Sequence, residues 1–311
     1  MSPPDLRPLS MPELLDRTVG LFRRNFAVLV GCMAVPVPLA AAMGIAFVRL
    51  QTAVMANRVD SELPQLAVWG LVSLVALGVY LLVYVGSAGA TTIAVTEAYF
   101  ERPISIGEAY RRTRQRYGTL LLLTLNLGVR FVGILAVAGF VFGVLIVAPF
   151  AALSGSGGGS EIVAVLSLLV GIVLVFAVAI FVGWFFLRYT LSLPAVTFEG
   201  LSTMPAIWRS VDLTQGHRWR AFVVLLLVGI LGYVAALLFQ MPFLILQVTL
   251  FAPVPPFWLQ AVSQAMAAAS GALIGPVRLI GFTLLYFDLR VRKEAFDLET
   301  KLEQLPEIAL R

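Results

Sequence analysis

The stretch SIGEAYRRTRQRY, from Ser105 to Tyr117, decides the fold, because it carries four arginines between two long apolar runs. A serine followed three residues later by Glu108 is the capping-box pattern with which many helices begin. At 3.6 residues per turn, one face of this helix consists of Ile106, Tyr110, Thr113 and Tyr117. The pattern predicts a short amphipathic helix that lies along a membrane surface.

Composition places the whole chain in a membrane. Hydrophobic residues make up 60% of the 311 residues and charged residues 13%, whereas ordinary soluble domains carry about 25% charged residues. The mean hydropathy is +0.95. A soluble globular protein is excluded, because so few polar residues cannot cover a water-facing surface. The basic pI of about 9.7 indicates contact with a membrane surface and not with nucleic acid, since the arginines cluster between apolar runs.

Six apolar runs are long enough to cross a bilayer, which takes about 20 residues. They cover Phe26–Leu50, Leu66–Val95, Gly118–Phe150, Ile162–Tyr189, Trp219–Phe251 and Val262–Phe287. Pro36 and Pro38 predict a kink in the first span, and the long fifth span is expected either to tilt or to break at Pro242.

Basic residues alternate sharply between the loops. They are frequent before span one, between spans two and three, between spans four and five, and after span six, and almost absent from the other three loops. The positive-inside rule then places both termini and the two basic loops in the cytoplasm.

The motif after Ser105 occurs three times, as Ser10-MPELLDRT, Ser105-IGEAYRRT and Ser202-TMPAIWRS. Each copy has an arginine seven positions after the serine, followed by a hydroxyl residue. Each pair of spans ends in an aromatic residue and an acid, namely Phe100-Glu101, Phe198-Glu199 and Phe287-Asp288. The predicted fold is an all-α polytopic membrane protein with six transmembrane helices in three repeated units, each introduced by an amphipathic interfacial helix.

The repeats divide the chain into three parts. Residues 1–9, with three prolines, are expected to form a disordered N-terminus. Residues 10–288 form a single membrane domain, with repeat units 10–101, 105–199 and 202–288. Residues 289–311 form a charged cytoplasmic tail that is expected to continue span six as a helix.

Two arginines lie inside predicted spans, Arg130 in span three and Arg278 in span six. At 1.5 Å per residue both lie about 15 Å from the cytoplasmic border, where a charge needs a cavity or a partner. Two interpretations stay open. The guanidiniums bond backbone carbonyls, Asn126 or nearby glutamines, or they flank one cytoplasm-facing cavity for an anion such as a lipid phosphate. A helix unwound at Gly275-Pro276 would add free carbonyls.

The repeated arginines predict contacts between units. We expect each of Arg17, Arg112 and Arg209 to reach an acid that ends a neighbouring unit. The candidate acids are Glu101, Glu199 and Asp288. The simpler interpretations are an i,i+4 pair on the same helix, as Glu108 allows for Arg112, and contact with lipid headgroups.

Catalytic and metal-binding motifs are absent from the sequence. No HExxH, GxSxG, Walker A or CxxC pattern occurs. The one histidine, His217, precedes Arg218 and Trp219 and is expected to anchor span five at the interface. Since the acids do not cluster with it in sequence, we expect no metal, cofactor or catalytic residue.

Four stretches, ELLDRTVGLFRRNF, SIGEAYRRTRQRYG, FEGLSTMPAIWRSVDLTQGHRWR and TLLYFDLRVRKEAFDLE, resemble the membrane domain of the glycerophosphoryl diester phosphodiesterase family. The resemblance covers nearly the whole chain and is most specific from Thr283 to Glu299. It implies a six-span domain, found also as a stand-alone bacterial protein, and hence a multi-pass protein of the bacterial cytoplasmic (inner) membrane. It does not imply phosphodiesterase activity, because that reaction belongs to a separate barrel domain for which this chain has no room.

The favoured function is a non-enzymatic integral membrane protein, a scaffold or accessory subunit that binds lipid or a membrane partner. Its expected partners are the bilayer, anionic lipid headgroups or another membrane protein, and not nucleic acid. The alternative is a transporter or lipid-handling protein with an anion-binding cavity between repeats. A polar cavity that reaches both Arg130 and Arg278 favours the alternative.

Overall fold

The computed structural model describes residues 9–55, 59–144, 161–250 and 256–294, and its regular structure in these ranges is helical. The helices are α1 (Met11–Arg24), α2 (Phe26–Ala34), α3 (Val37–Met55), α4 (Val59–Tyr99), α5 (Ile106–Phe142), α6 (Glu161–Tyr189), α7 (Thr203–Thr214), α8 (Arg218–Leu250) and α9 (Phe257–Glu294). A helical turn, Ser192–Pro194, and a short π-helix, Ala195–Glu199, connect α6 to α7. Most of the predicted tail and the first eight residues lie outside the described residues.

Five described helices are long and apolar enough to cross a membrane, and the bent pair α2–α3 makes a sixth. The two halves of this pair meet at 47° beside Pro36, which supports the predicted kink, since proline lacks the N–H that would continue the helix. Pro242 and Pro276 lie inside the continuous helices α8 and α9. The expected unwinding at Gly275-Pro276 therefore does not occur, because packing and local adjustment offset one lost hydrogen bond.

The three motif serines each occupy the N-cap position of a helix, namely Ser10 for α1, Ser105 for α5 and Ser202 for α7. The Ser10 and Ser105 side chains accept a capping hydrogen bond, and the Ser202 side chain does not. In the first and third copies the helix ends before the following span, at Asn25 and near Gly216, whose φ is +88°. The second copy differs from the prediction, because α5 continues without a break from the motif into the span.

Packing against α4 explains why α5 stays straight. The face that begins with Tyr110 and Tyr117 continues through Leu120 and lies against the glycines of α4. A Cβ added at Gly89 would come within 2.7 Å of Leu120, and one at Gly86 within 3.5 Å of Tyr117. Because this contact stripe extends from the motif into the span, one straight helix buries it and a bend would disrupt it.

Helix α9 is the centre of the bundle. In its most apolar window 61% of residues are buried, against 17% or less in the other four long helices. It contacts α1, α2, α3, α4 and α8, whereas α6 packs at the periphery. Large apolar side chains such as Val129, Ile180 and Leu238 are more than two-thirds exposed, as expected for surfaces that face lipid.

Three phenylalanines meet at the end of the bundle where the motif helices lie. Phe100 follows α4, Phe198 belongs to the π-helix and Phe287 belongs to α9. Their ring centroids are 6.1 Å apart for Phe100–Phe198, 5.6 Å for Phe100–Phe287 and 5.0 Å for Phe198–Phe287. The hydroxyl residues that follow the motif arginines are almost fully buried at the same end; they are Thr18, Thr113 and Ser210.

Leu9 corrects the predicted boundary of the disordered N-terminus. Its side chain is buried, and its N–H donates a hydrogen bond to Asp288 Oδ1 at 2.8 Å. Its carbonyl accepts hydrogen bonds from Arg220 and Arg292. Residue 9 is therefore ordered by α8 and α9.

Candidate functional site

Arg130 and Arg278, for which a shared cavity was one of two interpretations, line two different cavities. Arg130 lies in a groove between α5 and α6. Arg278 lies in a cavity bounded by the α2–α3 bend, α4 and α9. The interpretation with one shared cavity is therefore wrong, because Arg130 faces α6 whereas Arg278 faces α4 and the α2–α3 bend.

Arg130 also lies nearer the end of the bundle than the sequence predicts. Its Nη1 is 3.3 Å from the hydroxyl of Tyr189, the last residue of α6. The adjoining backbone at Leu191 donates a hydrogen bond to Ser210 of α7, an elbow helix.

A second arginine, Arg188, completes a cationic cluster around Tyr189. The guanidinium carbons of Arg130 and Arg188 lie 5.5 Å and 5.9 Å from the centroid of the Tyr189 ring. Arg188 also lies 5.0 Å from the ring of Trp184, and its Nε is buried without a hydrogen-bond partner. Within the described residues neither arginine forms an ion pair. The two positive charges therefore lie beside the Tyr189 ring with no carboxylate from the described residues to neutralise them.

The groove next to this cluster is apolar. It has a volume of about 780 Å³ and is lined on α5 by Gly133, Ile134, Val137, Ala138 and Val141, and on α6 by Leu174, Ala177, Val178, Phe181, Trp184 and Phe185. It extends from Arg130 and Tyr189 at one end to Val141 and Leu174 at the other. The eleven residue steps from Arg130 to Val141 correspond to about 16 Å of helix.

Asn126, the third residue of the predicted anion site, lies one turn before Arg130 on α5. Its Oδ1 is buried and has no hydrogen-bond partner among the described residues. The carbonyl oxygen does not bond Arg130, so the predicted cap of that arginine by Asn126 is absent.

Of the three predicted contacts between units, the structure contains one. Arg209 binds Glu199, with its Nη2 3.0 Å from Oε1, and also binds Glu294 at the end of α9. Hydrogen bonds to Glu294 and Glu199 raise the pKa of Arg209 against the opposing effect of burial. Tyr286 adds a hydrogen bond to Glu199, which ties α7, the π-helix and α9 together.

Arg112 and Arg17 depart from the prediction. Arg112 binds Glu97 at 2.7 Å and Glu108, on its own helix, at 2.8 Å. Because α5 is straight, Arg112 lies beside the last turn of α4, which contains Glu97, and does not reach Glu101. Arg17 forms no ion pair within the described chain. It lines a polar cavity of about 570 Å³ that also includes Glu101.

Asp288 binds different arginines from those predicted. Its side chain is fully buried and accepts hydrogen bonds from Arg220 at 2.7 Å and from Arg292 at 3.1 Å. Arg220 lies in the first turn of α8, and Arg292 lies one turn after Asp288 on α9. The sequence analysis did not single out Glu97, Arg188, Arg220 and Glu294. Their only distinguishing feature in the sequence is a charge close to the end of a predicted span.

The structure places His217 in the short break between α7 and α8, where its Nδ1 is buried without a partner. In the described ranges no group of three or more histidine, cysteine or acidic side chains could hold a metal ion. Cys32 is a buried free thiol, and its carbonyl accepts a hydrogen bond from Tyr110 at 2.7 Å.

Comparison with known proteins gives a family but no activity. No curated protein matches the chain, and no solved structure matches it. Residues 10–289 match the family described as "Domain of unknown function (DUF7847)", and the chain therefore belongs to that family.

Proposed function

We propose that the chain is a non-enzymatic, multi-pass membrane protein that binds an anionic phospholipid in the groove between α5 and α6. The observation that carries the proposal is the pair Arg130 and Arg188 around Tyr189, without a carboxylate, at the end of an apolar groove. A phosphate oxygen is the ligand that such a pair recognises, since guanidiniums form charge-assisted hydrogen bonds with phosphate.

The length of the groove supports a lipid tail. The hydrocarbon core of a bilayer is about 30 Å thick, so one leaflet spans about 15 Å. That matches the roughly 16 Å between Arg130 and Val141. Trp184 and Tyr189 lie at the charged end, where aromatic side chains favour the headgroup level. The lining side chains, including Ile134 and Val178, suit an acyl chain.

A scaffold or accessory role fits this site better than the alternative function does. A transporter with one anion cavity between repeats requires that Arg130 and Arg278 face the same space, and they do not. A bound lipid at the peripheral α6 offers a way to attach that helix, or a partner beside it, to the central bundle.

We also propose that the three units form a ring around the phenylalanine cluster. The contact of Phe100, Phe198 and Phe287 supports this, as does the burial of the hydroxyl residue in each motif. Arg112 of the second unit binds Glu97 of the first, and Arg209 of the third binds Glu199 of the second. The hydrogen bond from Leu9 N–H to Asp288 connects the start of the first unit to the end of the third.

Lipid retention tests the proposed site. The double substitution Arg130→Gln and Arg188→Gln is expected to weaken binding of phosphatidylglycerol at least about tenfold, because each charge-assisted hydrogen bond contributes about 1.5–3 kcal/mol. Native mass spectrometry of the protein in mild detergent, titrated with this lipid, measures the change. Arg114→Gln on the exposed start of α5 is the matched control and should retain wild-type binding.

Filling the groove provides a second variant that keeps both charges. No atom lies within 4 Å of a Cβ added at Gly133, which lines the groove, or at Gly139, which does not. Gly133→Leu should therefore reduce lipid retention, whereas Gly139→Leu should not. Unchanged retention in both the double arginine variant and Gly133→Leu contradicts the proposed function.

Cysteine labelling tests the proposed orientation in a cytoplasmic membrane with both termini inside. In a Cys32→Ala background, Arg114→Cys is expected to react with a membrane-impermeant thiol reagent only after spheroplasts are opened. Ser156→Cys, in the glycine-rich loop outside the described residues, is expected to react in intact spheroplasts. The reverse result at Ser156→Cys overturns the orientation.

A further inference from the structure

The cavity at Arg278 is separate from the lipid groove. It has a volume of about 240 Å³ and lies where α9 faces the α2–α3 bend and α4. Gly271, Gly275 and Arg278 of α9 line it at a spacing that places all three on one helix face. The two glycines leave the space open, and a Cβ at Gly275 would already lie 3.1 Å from Met33.

Arg278 lies near the middle of α9 among mostly buried neighbours, and it has no partner among the described residues. It lies ten residues before Asp288 on α9, which corresponds to about 15 Å of helix. Within the described residues it forms no hydrogen bond or ion pair. Between residues 270 and 291 only Gly271 and Arg278 are exposed. Both residues line the cavity, so the guanidinium of Arg278 is accessible from it. A guanidinium at this depth is costly unless it meets an anion or water.

The other walls of the cavity also favour a negative charge. Helix α3 begins at Val37, and its first turn contributes Val37 and Ala40 to the wall. The N-terminal end of a helix carries partial positive charge, and broken helices inside membranes place that end against anionic ligands. Tyr80 and Tyr84 of α4 also line the cavity, and none of its described lining residues is an acid.

We propose that this cavity is a second, small-anion site in the bundle, with Arg278 as the principal ligand for an oxyanion of phosphate or carboxylate type. The planar guanidinium suits two oxygens of such a group. The space is less than a third of the lipid groove, and it excludes a two-chain phospholipid. The site goes beyond the proposed lipid function and uses none of its residues.

Isothermal titration of the detergent-purified full chain with inorganic phosphate, at constant ionic strength, tests the site. Wild-type protein is expected to show saturable binding, and Arg278→Gln is expected to weaken it at least about tenfold by removing the charged donors. Arg278→Lys keeps the charge and should retain part of the affinity. Arg114→Gln, on the exposed start of α5, should bind phosphate as the wild type does.

A cavity-filling pair keeps the test independent of folding defects in the arginine variants. No atom lies within 4 Å of a Cβ added at Gly271 or at Gly229 of α8. Gly271→Leu fills the cavity and should abolish phosphate binding, while Gly229→Leu lies outside it and should not. Absence of saturable binding by the wild type, or wild-type affinity in both Arg278→Gln and Gly271→Leu, overturns the proposal. If the wild-type protein binds inorganic phosphate but does not bind phosphatidylglycerol, the result contradicts the lipid function and leaves the small-anion site standing.

Discussion

Replacement of Phe287 by alanine is expected to lower the free energy of unfolding by about 3–5 kcal/mol. The Phe287 side chain is 1% exposed. Its ring packs against Phe198 and Tyr99 at centroid distances of 5.0 Å each, and against Phe100 at 5.6 Å. Removal of the ring leaves a void from which each neighbour loses dispersion contacts, and that loss does not depend on whether water or lipid surrounds the bundle.

A matched phenylalanine separates this effect from a general change in hydrophobicity. Phe140 of α5 is 73% exposed toward the lipid, so Phe140→Ala should change stability by less than about 1 kcal/mol. Denaturation by sodium dodecyl sulfate in mixed micelles measures both variants. Equal effects of Phe287→Ala and Phe140→Ala would show that the phenylalanine cluster does not hold the units together.

Replacement of Asp288 by alanine is expected to destabilise the protein by about 3 kcal/mol. The fully buried carboxylate binds Arg220 and Arg292 and accepts the N–H of Leu9. Its removal leaves two guanidiniums without a carboxylate and the Leu9 N–H without an acceptor at the junction of α8, α9 and the N-terminus. The arginine side chains are 17% and 28% exposed, so partial hydration keeps the loss at the low end of the range for buried pairs.

An exposed ion pair on the same face is the control for Asp288. Asp212 of α7 binds Lys293 of α9 at 2.8 Å, with side chains that are 56% and 30% exposed. Asp212→Ala should therefore cost less than about 1 kcal/mol, because solvent screens the pair. Similar losses for Asp212→Ala and Asp288→Ala in the same denaturation experiment would falsify the central role of the buried carboxylate.

Sequence patterns predicted those features that follow from local chemistry. The six apolar runs, the kink at Pro36 and the serine caps of α1, α5 and α7 each depend on residues adjacent in the chain. The repeated motif also selected Arg209 and Glu199, which are only ten residues apart and do form a pair. A capping motif or a proline acts over one or two turns, so its effect is visible before the fold is known.

Features that depend on distant partners were predicted less well. Gly86 and Gly89 of α4 decide whether the motif after Ser105 bends away from its span. They leave room for the side chains of α5 that pack against α4 in both the motif and the span. The choice of Glu97 as the partner of Arg112 also follows from the straightness of α5. The depth of Arg130 depends on Tyr189, since a flexible side chain follows its partner and not the helix position of its own Cα.

By itself the sequence determined that the chain is helical and apolar enough to cross a membrane, where α1, α5 and α7 begin, and which arginines interrupt the spans. Hydropathy, caps and prolines act locally, and a bilayer leaves the backbone few alternatives to helices. Only the tertiary structure decided that Arg130 joins Arg188 beside a lipid-sized groove while Arg278 opens into a separate cavity. That separation depends on which helix faces meet, and helix faces meet through side-chain packing between residues far apart in the chain.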